Sequence, residues 1–297
     1  MTAGTDAPDI ICLDPANAIL GEGPVWDAAE NALWWVDIKR PELRRYDATT
    51  GAVETWRAPE RIGCVIPTRT PRRFIAGLKS GLAVVKPAED GALSVDYVAR
   101  PDAEHPTNRF NDGKADPAGR LWVGGMDDEE RDATGYLYRV MPDLSYAAMD
   151  GPYAVTNGPA ISGDGRVLYH TDTLGRTIWR FDLGSDGALA NKSRFVVFDD
   201  PGWGHPDGST VDAAGFLWVA HWGGGRVTRF TPDGTLDRVI PVPARQVTSC
   251  VFGGPDLRDL YITSAAVGLP DPADGIDGAL FRCRPGPQGV PVARFLG

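Results

Sequence analysis

Short apolar runs separated by polar turns rich in glycine and proline recur along the whole chain, and no stretch sustains a 3.6-residue apolar period. Six of these runs read as strand cores. They are residues 31–38 (NALWWVDI), 73–78 (RFIAGL), 120–125 (RLWVGG), 166–171 (RVLYHT), 216–221 (FLWVAH) and 259–263 (DLYIT). Each is followed, after a turn, by a partner strand: ELRRYD from Glu42, GLAVVK from Gly81, GYLYRV from Gly135, TIWRFD from Thr177, RVTRFT from Arg226 and GALFRC from Gly278. Anchored on Leu33, Phe74, Leu121, Leu168, Leu217 and Leu260, the repeats are offset by 41, 47, 47, 49 and 43 residues.

A four-stranded blade takes ~40 to 50 residues, and blades that cannot bury both faces alone pack radially. The pattern therefore predicts an all-β chain, a six-bladed β-propeller of four-stranded antiparallel blades around a central channel, with residues 1–297 as one domain. No GH…WD signature marks it as a WD40 array. Within the N-terminal segment 1–20, IICL at residues 10–13 is expected to complete the last blade and close the ring, with VARFL at residues 292–296 as its neighbour.

Composition narrows the function classes. A formal charge of −10, from 30 Lys and Arg against 40 Asp and Glu, would repel nucleic acid and anionic membranes. The first residues lack a basic, apolar secretory leader, and no run approaches the ~20 apolar residues that span a bilayer. A cytoplasmic protein is expected, and without coiled-coil heptads a monomer. Cys12, Cys64, Cys250 and Cys283 stand far apart with no CxxC pair, arguing against a zinc knuckle or a disulfide framework.

Candidate chemistry comes from phase. Glu22 lies 11 residues before its anchor, Asn111 10, Asn157 11 and Asp207 10, each in a small glycine-containing turn: GEGP, NDGK, NGPA and PDGS. The second and sixth repeats carry Cys64 and Ser249 or Cys250 there. Equivalent positions of propeller blades project into one shared space, so two carboxylates and two amide carbonyls would face one point. Such an oxygen-only set suits Ca²⁺, Mg²⁺ or Mn²⁺, with Zn²⁺ and Fe²⁺ left open.

With these motifs the chain resembles the SMP30/gluconolactonase/luciferin-regenerating family, through GEGPVWD at Gly21, RFNDGKADPAGRLWVGGM at Arg109, TNGPAIS at Thr156, YHTDTL at Tyr169, HPDGSTVDAAGFLWVAHWGGGRV at His205 and FGGPDLRDLYITSA at Phe252. The resemblance implies a six-bladed propeller with one divalent cation held by Glu22, Asn157 and Asp207. It implies substrate contacts from Arg109 and Asn111, joined by Glu129 of the acidic loop DDEE. It also implies hydrolysis of a small-molecule sugar lactone to its aldonic acid, with Asp207 as both ligand and general base. Two other readings stay open: a non-catalytic Ca²⁺-binding propeller, and an esterase or phosphotriesterase-like hydrolase. His170, Asp172 and His205 are further candidates for the channel mouth, and Trp203 and Trp222 for a sugar-facing wall. Trp26, Trp34, Trp122 and Trp218 are expected to pack between blades.

Overall fold

The computed structural model describes residues 8–15, 18–270 and 276–297. Six four-stranded antiparallel sheets form a ring, a six-bladed β-propeller. The innermost strands of blades 1 to 6 are Gly21–Asp27, Ile62–Pro67, Asn108–Ala115, Thr156–Ile161, His205–Val211 and Gln246–Gly253. Among the described residues the one helical element is a 3₁₀ turn at Pro201–Trp203, and no helix is long and apolar enough to cross a membrane.

Strands near the channel read as continuous apolar runs because both sheet faces are covered by neighbouring blades. In Ala32–Asp37 (ALWWVD), Trp34 and Val36 point into a cluster with Phe74 and Ala76 of blade 2. Leu33 and Trp35 point the other way, towards Val251 and Tyr261 of blade 6. Trp34 meets Phe74 edge-on at 4.9 Å between ring centres, and Trp26 stacks on Tyr261 at 5.3 Å. Outer strands such as Val53–Arg57 are mostly exposed, which is why their apolar signal is weak in the sequence.

A second device repeats between blades. In the stretches Asp-x-x-Gly-x-Leu-Trp at Asp116 and Asp212, the carboxylate accepts two backbone N–H groups of its own turn and reaches the indole of the following strand. Trp122 Nε1 donates to Asp116 at 2.9 Å and Trp218 Nε1 to Asp212 at 3.0 Å, while Arg120 and Arg229 neutralise the two acids. Each aspartate thereby satisfies a buried donor and pins a turn to a strand.

Ring closure corrects one expectation. The N-terminal strand Ile11–Asp14 does add to the sixth sheet, but its neighbour is Leu280–Cys283, not residues 292–296. Those last residues cross the far mouth of the channel instead. Phe295 N donates to Pro67 O at 2.9 Å and Leu296 N to Gly119 O at 3.1 Å. The Phe295 ring is buried with Ile66 and Phe110, and that burial outweighs what an exposed edge strand would gain.

Candidate active site at the channel mouth

All six innermost strands break register at the same height. Opposite their neighbours, the shifts fall between Glu22 and Val25, Ile62 and Cys64, Phe110 and Gly113, Asn157 and Ala160, Pro206 and Ser209, and Val247 and Ser249. The glycine-containing segments expected as turns are therefore β-bulges inside strands. A bulge adds a residue to one strand only and re-aims its side chains. Here it turns Glu22, Asn111, Asn157 and Asp207 into the channel, which explains why one phase carries the oxygen atoms. Glycine is demanded by crowding: Gly158 has φ +34° and a Cβ there would lie 2.6 Å from Ser209 Oγ, while one on Gly208 would lie 2.2 Å from Ser249 Oγ.

The four side chains are buried and, with Arg109, line a cavity of about 270 Å³. A chain of hydrogen bonds sets their orientation. Arg109 Nη1 donates to Asn111 Oδ1 at 2.5 Å, Asn111 Nδ2 donates to Asn157 Oδ1 at 2.9 Å and to Thr156 O at 2.7 Å, and Asn157 Nδ2 donates to Thr173 Oγ1 at 2.9 Å. Both N–H groups of Asn111 are thus spent within the protein. It acts as a bracket for Asn157, leaving only carbonyl capacity for a ligand.

Two buried carboxylates share this cavity. Among the described residues Asp207 Oδ1 is buried without a hydrogen-bond partner, and Glu22 accepts only from Gly23 N, at 2.9 Å, within its own bulge. Burial raises both carboxyl pKa values, and Glu22 and Asp112 raise that of Asp207 further. A divalent ion would relieve this repulsion, and two carboxylates with one amide oxygen are hard donors that leave part of a coordination shell open. Among the described residues no group of three or more His, Cys, Asp or Glu side chains is arranged to hold a metal ion, so a cation in this cavity would need an amide oxygen beside the two carboxylates. Cys64, at the same phase, is a poor thiolate because burial drives its pKa far up.

The acidic loop differs from expectation. Glu129 is exposed, pairs with Arg131 and does not line the cavity. Its neighbours take the inward positions: Asp128 accepts from Arg109 Nε at 3.0 Å, and Glu130 lines the cavity. After Asp127 the strand ends in a turn whose N–H groups at Arg131 and Asp132 are capped by the Asp127 carboxylate, which sends residue 129 outwards. Of the histidines, His205 lines the cavity and its Nδ1 lies 3.2 Å from Thr173 O, whereas His170 is buried against Tyr153, away from the channel. Asp172 accepts from Gly175 N at a turn. Trp222 lines the cavity, while Trp203 packs on Phe198 and His221. Lys39 and Thr173 also line the cavity, and the buried Asp112 lies close enough to act on Asp207; none of the three carries a signal of its own in the sequence. Thr173 sits just past a strand end, and Asp112 gave no separate signal because it follows the phased Asn111.

Comparison with known proteins identifies the family. Residues 20–266 match the SMP-30/Gluconolactonase/LRE-like region. The chain belongs to this family. It is 38% identical to a 6-deoxy-6-sulfogluconolactonase of Pseudomonas putida, over 86% of each chain. It is likewise 38% identical to an L-arabinolactonase of Azospirillum brasilense, over 94% of this chain and 92% of that one. Among solved structures it resembles a calcium-binding protein, regucalcin, of Agrobacterium tumefaciens, with a TM-score of 0.88, 28% identity and 96% coverage of each chain.

Proposed function

We propose that this family member is a divalent-metal-dependent lactonase that opens the lactone of a sugar acid to the aldonic acid. One observation carries the reading: the unpartnered Asp207 Oδ1 beside Glu22 and Asn157, in a cavity whose wall is Arg109. The lactonases among its relatives supply the reaction class.

Glu22, Asn157 and Asp207 would hold the cation, which when bound supplies Lewis-acid polarisation of the lactone carbonyl. Asp207 then takes a proton as water adds to the carbonyl carbon. The ring C–O bond breaks, and the proton returns to the departing ring oxygen. Arg109, a permanently charged fork braced by Asp128 and Asn111, orients the substrate and meets the carboxylate as it forms. Trp222 offers an apolar ring face to the sugar.

The test is aldonolactone hydrolysis followed by a pH indicator, before and after chelation and with Ca²⁺, Mg²⁺, Mn²⁺, Zn²⁺ or Fe²⁺ restored. Turnover lost on chelation and regained with one ion supports the proposal. The calcium-binding description of the regucalcin relative favours a second reading, a binding propeller without catalysis. Tight ion binding with no turnover above the spontaneous rate would establish that reading instead.

A further inference from the structure

Lys114 stands on the inner strand of blade 3, just past the bulge that carries Asn111, and its side chain leaves its own blade. Its Nζ donates to Ser209 O on the inner strand of blade 5, a contact that skips blade 4. Lys114 and Thr210 line a cavity of about 420 Å³ under Val292 and Leu296 at the far mouth, whereas Asn111 and Asp207 line the candidate site. The ammonium therefore holds blade 5 from the side of the bulges that faces away from the site.

Its acceptor is a junction. Ser209 follows Asp207 by two residues and closes the register break of that strand. The Ser209 carbonyl takes the Lys114 ammonium, and the Ser209 hydroxyl donates to Gly158 O, at 3.3 Å, in the bulge that carries Asn157. Asn157 in turn accepts from Asn111. Blades 3, 4 and 5 are thus tied in a closed loop, from Lys114 to Ser209, from Ser209 to Gly158, and back through Asn157 to Asn111.

Charge alone argues against a lysine in this place. Burial raises the carboxyl pKa values of Glu22 and Asp112, and Lys114 opposes both shifts, so its field reaches the buried acids. The same field repels a divalent ion. A lysine that served only as a counter-charge would compete with the ion, while one that holds the bulge in place would help it bind.

Resting on the metal reading, we propose that Lys114 is a positioning residue: it fixes the Asp207 bulge against blades 3 and 4, so that Asp207 and Asn157 present their oxygen atoms to the cation in one geometry.

The sign of a change in metal affinity separates the two roles. Ca²⁺, Mg²⁺ and Mn²⁺ are titrated calorimetrically into the chelator-stripped parent and Lys114→Met, which keeps an unbranched chain and removes charge and donor. The variant should bind its ion about 10- to 100-fold more weakly, the usual effect of losing an orienting partner, even though a positive charge has gone. Ser209→Ala deletes only the hydroxyl that holds Gly158 and should weaken binding by less. Tighter or unchanged binding in Lys114→Met overturns the proposal. Should that variant not fold, Ser209→Ala decides by the same signs.

Hydrogen exchange in the metal-free proteins gives a reading that needs no ion. Amides of residues 205–211 should exchange on the order of 10-fold faster in Lys114→Met, with the outer strand Val53–Arg57 unchanged. Equal rates in parent and variant also overturn the proposal. A parent that binds none of these ions, together with faster exchange in the variant, would defeat the metal reading and leave the hold of Lys114 on the bulge standing.

Discussion

Asn111 Nδ2 donates to Asn157 Oδ1 at 2.9 Å across the gap between blades 3 and 4, so the amide of one blade sets the direction in which its neighbour presents oxygen. Asn157 is held at both ends, by Asn111 and by Thr173 Oγ1. Partners of this kind fix a ligand's orientation, and losing them typically weakens metal binding about 10- to 100-fold. Asn111→Ala should therefore raise the dissociation constant for the activating ion by about that factor, with turnover partly recovered at high metal concentration. Metal titration followed by activity reads both. An unchanged metal affinity with a raised KM would make Asn111 a substrate contact instead.

Burial disfavours the ionised forms of Asp207 and Glu22, and Glu22 adds repulsion at Asp207, so on the proposed metal reading the pair would favour ion binding at the expense of the metal-free fold. Asp207→Asn keeps the shape and removes one charge. Activity should fall at least ~100-fold, the low end of what a general base contributes, while the melting temperature in chelator rises. A variant that keeps turnover, or melts earlier than the parent in chelator, contradicts the assignment.

Asp212 accepts from Trp218 Nε1 and from Arg229 Nε and Nη2, at 3.0, 2.9 and 2.7 Å. Asp212→Ala strands an indole N–H and leaves the buried Arg229 guanidinium only its partly exposed partner Asp237. The expected loss is about 3–5 kcal/mol in denaturant unfolding. Asp237→Ala, on the partly exposed partner of the same arginine, should cost less than about 1 kcal/mol.

His170 is held neutral by burial, which lowers its pKa to about 4; Asp150 opposes the shift and Lys192 adds to it, with Tyr153 and Asp172 also nearby. The unfolded imidazole titrates near ~6.5, so between about pH 6.5 and 4 the unfolded chain binds more protons and stability falls as pH falls. Over that window this one group accounts for ~3 kcal/mol. His170→Phe keeps a ring against Tyr153 and should flatten the fall in melting temperature over this range. An identical slope in both proteins would show that other groups dominate.

Six repeats, their spacing and the phased oxygen atoms were legible in the sequence because they depend on local chemistry. Alternating apolar residues specify strands, and buried inner strands write strongly apolar runs such as ALWWVD. Equivalent positions of equivalent repeats meet at one axis, so Glu22, Asn157 and Asp207 converge wherever the ring closes.

What the tertiary structure decided depends on contacts between distant segments. Register against the neighbouring strand, not the glycine itself, made the NDG and PDG segments bulges inside strands. The outward course of Glu129 follows from the capping of its turn by Asp127, and the use of Asn111 as a bracket follows from the distance to blade 4. Residues 292–296 left the sixth blade because Phe295 finds a buried site at the far mouth. Local pattern determines which face of a strand is apolar; which partner that face meets is settled only when the whole ring is packed.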